Sequence, residues 1–190
     1  MNRITARIIF GAIFLAITAL FFLVRPGSTA PIRDREGDLV LDSVASLEKV
    51  QIGGTQQWIL VRGEDVSNPI LLWLHGGPGA SQMPVARYFS ADLEKYFVVV
   101  HWDQRGAGKS NPRDFDESTM TFQQFIDDGH ELTLYLKQRF NKQKIYLLGH
   151  SWGTMPGIKL AQAYPEDYFM GEAEKFNQEL KNVKRETYDP

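Results

Sequence analysis

The chain has 190 residues, with 21 lysines and arginines against 23 aspartates and glutamates and no cysteine. That length carries one ordinary domain with a sizeable apolar core. The net charge of −2 gives no electrostatic footprint for nucleic acid, and the absence of cysteine excludes disulfides, thiolate metal sites and a cysteine nucleophile.

Residues 1–7 form a basic flank containing Arg3 and Arg7. Residues 8–24 (IIFGAIFLAITALFFLV) carry no charge. At about 1.5 Å per residue such a helix spans roughly 26 Å, slightly short of a hydrocarbon core of about 30 Å. The segment reads as a transmembrane signal anchor or a signal peptide. Ser28-Thr29-Ala30 resembles a cleavage site, but Pro31 follows directly and disfavours cleavage, so a single-pass anchor is expected. The basic flank then places the globular part outside the cytoplasm, although Arg25, Arg33 and Arg35 on the other side oppose that orientation.

Residues 25–38 (RPGSTAPIRDREGD) read as a linker. Val40 to Gly53 and Gln56 to Arg62 are predicted as strands joined by a hairpin turn at Gly53-Gly54. Pro69 to Leu74, Phe97 to Trp102 and Ile145 to Leu148 are short continuous apolar runs, the pattern of strands buried on both faces of a parallel sheet. Helices are predicted between them. Pro84 to Tyr96 is one. Thr121 to Phe140 is the other: Thr121 and Gln124 form a capping box, and Phe122, Phe125, Ile126, Gly129, Leu132 and Leu136 share a face. Gly129 on that face suggests close packing on the sheet. Strands alternating with helices predict an α/β fold with a mostly parallel sheet over residues 39–168.

Three motifs carry the chemistry. Gly149-His150-Ser151-Trp152-Gly153 follows a strand and opens a helix-compatible run, the context a nucleophile elbow requires. The turn must be sharp, and the flanking glycines leave room for it while Ser151 is lifted to the sheet's C-terminal edge. His75-Gly76-Gly77-Pro78-Gly79 also follows a strand. Beside an elbow serine its natural task is an oxyanion hole, with one N–H from this loop and one from Trp152. His75 itself reads as structural. Asp103-Gln104-Arg105-Gly106-Ala107-Gly108-Lys109-Ser110 looks like a phosphate loop, but Asp103 stands where the Walker pattern needs its first glycine. It reads instead as a supporting loop beside the site, with Asp103 paired to Arg105.

In this order and spacing, HGGPG, DQRGAGKS and GHSWGT resemble the prolyl iminopeptidase-like branch of the α/β-hydrolases over roughly residues 40–168. The resemblance implies Ser151 as nucleophile, Gly77 and Trp152 as oxyanion donors, and Gly76, Pro78 and Gly79 as shapers of the substrate entrance. It implies removal of an N-terminal residue, often proline, from a peptide, while relatives with these motifs hydrolyse other amides and esters. No metal or organic cofactor is implied.

The pattern then breaks. A triad of this fold runs Ser, Asp or Glu, His. All the histidines, His75, His101, His130 and His150, precede Ser151. His150 is adjacent, but an elbow points neighbouring side chains apart. His101 could lie near the sheet edge, and His130 reads as solvated on the outer side of its helix. Glu166 and Asp167 fall at the far end of the elbow helix, more than about 15 Å away. The later strands and cap are missing. Residues 169–190 carry a helical stripe of Phe169, Ala173, Phe176, Leu180 and Val183 rather than a strand. The expected reading is a deletion or truncation product whose sheet ends at the Ile145–Leu148 strand with an open edge. Three functions follow: a membrane-anchored peptidase, an esterase or amidase of the same fold, or a non-catalytic module that binds a peptide or partner. A chain supplying the missing half is a further partner the first two would need.

Overall fold

A computed structural model of the protein describes residues 28–169 together with Phe10, Gly11, Ile13 and Phe14. Most of the expected anchor at 8–24, and the tail from residue 170, lie outside the described residues. Among the described residues no helix is long and apolar enough to cross a membrane.

Five strands form one sheet: β1 (Val44–Ile52), β2 (Thr55–Gly63), β3 (Ile70–Leu74), β4 (Val98–Asp103) and β5 (Tyr146–Gly149), in the order β1-β2-β4-β3-β5. The β1–β2 and β2–β4 pairings are antiparallel, and β3–β4 and β3–β5 are parallel. The sheet is therefore mixed, not mostly parallel as the sequence suggested. The difference lies in β2, which pairs with β1 through a tight hairpin and also lies antiparallel to β4. Gly53 and Gly54 hold φ of +54° and +75°, left-handed values that glycine adopts without a Cβ clash. β1 starts later than predicted because Val40 is drawn into a turn, accepting from the Ser43 N–H at 3.2 Å.

Alternation along the central strands sorts their side chains. Ile70, Leu72 and Leu74 of β3 and Val98 and Val100 of β4 join the larger core, with Leu132, Leu136 and Leu160 from the helices. Leu71 and Val99 point the other way, towards Phe97, Leu93 and Trp73. At about 25 cal/mol per Å² this two-faced burial is the dominant favourable term for the fold.

The predicted Pro84–Tyr96 helix is broken. A 3-10 turn at Met83–Val85 leads into a short helix α1 (Ala86–Ser90), and a second 3-10 segment follows at Ala91–Lys95. Only Ala86 and Ser90 of α1 are buried, so no apolar stripe sustains a longer helix there. Helix α2 (Phe122–Arg139) matches its prediction closely, and Thr121 caps it through the Gln124 N–H at 3.1 Å. Only half of the capping box forms, because the Gln124 side chain turns to Asp128 at 2.8 Å instead. Helix α3 (Thr154–Ala163) follows the elbow. Gly129 packs on α3 rather than on the sheet: a Cβ there would lie 2.7 Å from a Leu160 methyl.

Among the described residues β5 is the last strand at this edge, as expected, and after α3 the chain adds only a single bridge beside it. Tyr168 makes a parallel bridge to Ile145, with Ile145 N–H donating to Asp167 O at 2.9 Å and Phe169 N–H to Ile145 O at 3.1 Å. Beyond this bridge the edge of β5 is open among the described residues. His150 N–H donates inward to Leu74 O at 3.0 Å, so by alternation the backbone groups of Leu147 and Gly149 face outward. They border a groove of about 370 Å³ shared with Ile158, Ala161 and Phe169.

Candidate active site

The elbow forms because β5 must turn into α3 with almost no space. A Cβ on Gly149 would lie 2.7 Å from Gly153 O and 2.7 Å from Thr154 Cα, and one on Gly153 would strike the Leu74 carbonyl. A side chain at Gly149 would collide within the turn itself, and one at Gly153 would push the turn off β3. Between them Ser151 holds φ +51°, the left-handed region that a non-glycine residue occupies at a cost of about 1–3 kcal/mol. Ser151 is exposed. The strain thus lifts one hydroxyl out of the end of the sheet.

The loop after β3 lies directly against it. A Cβ on Gly76 would sit 3.2 Å from Ser151 Cβ and 3.0 Å from His150 Nδ1. Gly77, Pro78 and Gly79 continue this loop, and Ala80 N–H closes it onto Gly76 O at 3.2 Å. Trp152 packs edge-on against Phe122 and Phe125 of α2, each with ring centroids 5.8 Å away, which fixes the residue that follows Ser151.

His75 braces this loop from below. Its Nε2 accepts the Gln104 N–H at 3.1 Å, so its Nδ1 carries the proton and donates to Gly76 O at 2.7 Å. Gln104 also donates to His75 O at 3.3 Å. Burial holds the imidazole below its ordinary pKa and keeps it neutral. The HGGPG and DQRG loops are thereby one hydrogen-bonded unit.

The expected Asp103–Arg105 pair does not form. Asp103 accepts from Ser81 Oγ and from Lys109 N–H, the latter at 2.8 Å. Arg105 crosses to α2 and grips Asp128 with two bonds of 2.9 Å, and it reaches Gly53 O at 2.7 Å. Asp103 closes β4, whereas Arg105 stands in the turn that follows, with Gln104 between them, and this sends the two groups apart. Asp128 was missed by sequence reasoning. It sits three residues after Phe125 and four before Leu132, on the apolar face of α2, and an acid there demands a buried cation. Ser81 and Gln82 were missed as well; nothing in their local pattern marks them. A cavity of about 450 Å³ opens beside Asp103 and Ser81, lined also by Leu47, Leu60, Met83 and Lys109, and Ser151 does not line it.

No base reaches the serine among the described residues. His75 is committed to Gly76 and Gln104, and His101 to Ser90 Oγ at 3.1 Å. His130 is not simply solvated: it bonds Asp167 at 3.1 Å and stacks on Tyr164 with centroids 3.5 Å apart. Asp167 lies beside Ile145, at the end of β5 away from the elbow. His150 bonds Gln82 at 3.1 Å. No group of three or more metal-ligating side chains occurs among the described residues.

A family model described as the alpha/beta hydrolase fold matches residues 69–167. The chain belongs to the α/β-hydrolase family. Within it the similarity lies with proteins named for aminopeptidase activity. The chain is 42% identical over 127 residues to the probable aminopeptidase YbaC of Bacillus subtilis, covering 67% of this chain and 40% of that protein. It is 41% identical over 106 residues to a proline iminopeptidase of Saccharolobus solfataricus, covering 53% of this chain and 31% of the relative. The chain thus spans well under half the length of these curated relatives. Among solved structures, a proline iminopeptidase-related protein of Thermus thermophilus superimposes with a TM-score of 0.55 at 28% identity, covering 65% of this chain and 42% of that one. An epoxide hydrolase of Mycobacterium thermoresistibile shares the fold, with a TM-score of 0.54 at 21% identity over 66% of this chain and 37% of that one.

Proposed function

We propose that the chain carries the nucleophile half of a serine aminopeptidase of the proline iminopeptidase type. The observation that carries this reading is Ser151, held at φ +51° between two glycines that tolerate no side chain, with Gly76 packed against it. In the reaction Ser151 Oγ attacks the carbonyl carbon of the substrate's N-terminal residue and its proton passes to a base. The carbonyl oxygen gains charge and is held by the N–H groups of Gly77 and Trp152, each donor worth about 3–4 kcal/mol in such sites. The amide breaks, the amine leaves with a proton, and water then hydrolyses the acyl-enzyme. Names of relatives support a peptidase; the elbow serine supports the acyl-enzyme route.

The base must come from outside the described residues, since each described histidine is engaged elsewhere. Loss of such a base costs roughly a million-fold in turnover, while an oxyanion hole alone retains about a thousand- to ten-thousand-fold over water. That engagement also favours a second reading, a hydrolase-like module that binds a peptide or partner without turnover. Added imidazole separates them. With imidazole present, the chain should hydrolyse proline naphthylamide and Ser151→Ala should not. No rescue would favour the binding module, and rescue of a nitrophenyl ester alone would favour an esterase.

For location, we propose a single-pass anchor at residues 8–24 with the hydrolase domain outside the cytoplasm, on the strength of its uncharged run behind Arg3 and Arg7. Release of the chain from membranes by alkaline carbonate would refute it.

A further inference from the structure

Trp73, Gln82 and His150 form a short chain of hydrogen bonds that ends beside Ser151. Trp73 Nε1 lies 2.8 Å from Gln82 Oε1, and Gln82 Nε2 lies 3.1 Å from His150 Nδ1. An indole N–H can only donate, so the Gln82 amide cannot be turned round: its oxygen must face Trp73 and its NH2 must face the histidine. An NH2 can only donate as well. His150 Nδ1 must then be the bare, accepting nitrogen, and the single proton of the neutral ring sits on Nε2.

We infer that Trp73 and Gln82 lock His150 as its Nε2–H form, so that it serves as a hydrogen-bond donor to the substrate beside Ser151 rather than as the serine's base. This rests on the aminopeptidase reading for its substrate and on the hydrogen-bond chain alone for its tautomer. The placement suits the role. His150 is exposed, and its Nδ1 is 3.0 Å from where a Cβ of Gly76 would be, so the ring borders the same loop that flanks Ser151. As a base it would have to take the serine proton on a nitrogen that is either already protonated or already accepting. As a donor its Nε2–H is available to an acceptor oxygen of the bound chain next to the scissile bond. Trp73 and Gln82 are positioning residues: neither needs to touch substrate, and their effect is read in which ring nitrogen holds the proton.

The test is nitrogen NMR on the histidine rings of the isotopically labelled full chain at a pH where they are neutral. His150 should show a protonated Nε2 and a bare Nδ1. Gln82→Glu places a carboxylate, an acceptor, opposite Nδ1 and should move the proton onto it; Trp73→Phe should give a mixture of both forms because the amide can then flip. A proton on Nδ1 in the unaltered chain, or spectra unchanged in Gln82→Glu, would overturn the lock. Titration with prolinamide should then shift the His150 Nε2–H signal in the unaltered chain and not in Gln82→Glu. A ring signal unmoved in the unaltered chain would overturn the recognition role. Neither arm depends on turnover, so failure of the aminopeptidase reading is detected separately by the imidazole experiment.

Discussion

Arg105 and Asp128 face each other through two hydrogen bonds of 2.9 Å, from Nε to Oδ2 and from Nη2 to Oδ1, with side chains 3% and 0% exposed. The same carboxylate accepts from Gln57 at 2.7 Å and Gln124 at 2.8 Å, and Gln57 in turn accepts from Trp102 at 2.8 Å. The loop after β4, the β1–β2 hairpin and helix α2 are tied at this point. Breaking a buried pair by removing one partner leaves a bare charge and costs about 3–5 kcal/mol. Asp128→Ala should lose that much in urea unfolding, and Arg105→Met combined with Asp128→Leu should recover most of it. A loss under about 1 kcal/mol for the single change would contradict this assignment.

Acid should weaken the fold through His101. Burial lowers its pKa from 6.5 to about 4, because the ring is enclosed by Trp73 at 4.9 Å and bonded to Ser90. A depressed histidine stays neutral when folded and takes a proton only when unfolded. Stability from this group is therefore full above the unfolded value and falls as pH drops from 6.5 towards 4, by roughly 3 kcal/mol in all. His101→Phe should keep the stack and flatten the slope of stability against pH in that window. An unchanged slope would assign the acid sensitivity elsewhere.

The elbow should not accept a methyl group. Gly153→Ala puts a Cβ against the Leu74 carbonyl and 2.9 Å from His75 O, both backbone atoms that cannot swing aside. Overpacking of this kind costs about 1–3 kcal/mol or more. Thermal unfolding should fall accordingly, and any reaction of Ser151 should disappear. A stable variant with a reactive serine would refute the close-packed elbow.

The outward edge of β5 and the exposed side of α3 should drive self-association. Met155 and Ile158 of α3 are 54% and 58% exposed, and Ile158 lines the groove that runs along Leu147 and Gly149. An apolar strand edge pairs readily with another chain. Met155→Lys and Ile158→Glu should each shift sedimentation profiles towards monomer without changing the far-UV spectrum. Profiles insensitive to both would place the sticky surface elsewhere.

The strands and the elbow were legible because their signals are local. PILLWL, FVVVHW and IYLL are apolar on both faces, and the GHSWG pattern carries its turn in the glycines themselves. The antiparallel relation of β2 to β4 was not legible, since it depends on which edge of the sheet the hairpin joins. Nor were the partners of Arg105 and His130, which lie 23 and 37 positions away along the chain. An acid on a helix's apolar face was the one clue to Asp128. The return of Tyr168 to Ile145 was hidden because a single bridge needs no strand-like run. The absence of a histidine after Ser151 was readable from sequence, but only the geometry shows that each earlier histidine has other work.

The central claim is that Ser151 is a formed nucleophile elbow whose base is not among the described residues. Fluorophosphonate labelling of the purified 190-residue chain, without imidazole and beside Ser151→Ala, tests it most directly. Labelling should be no faster than in the Ser151→Ala control, with imidazole restoring it in the unaltered chain only. Rapid labelling of Ser151 without imidazole would contradict the claim and would mean that the chain already supplies a base to the serine.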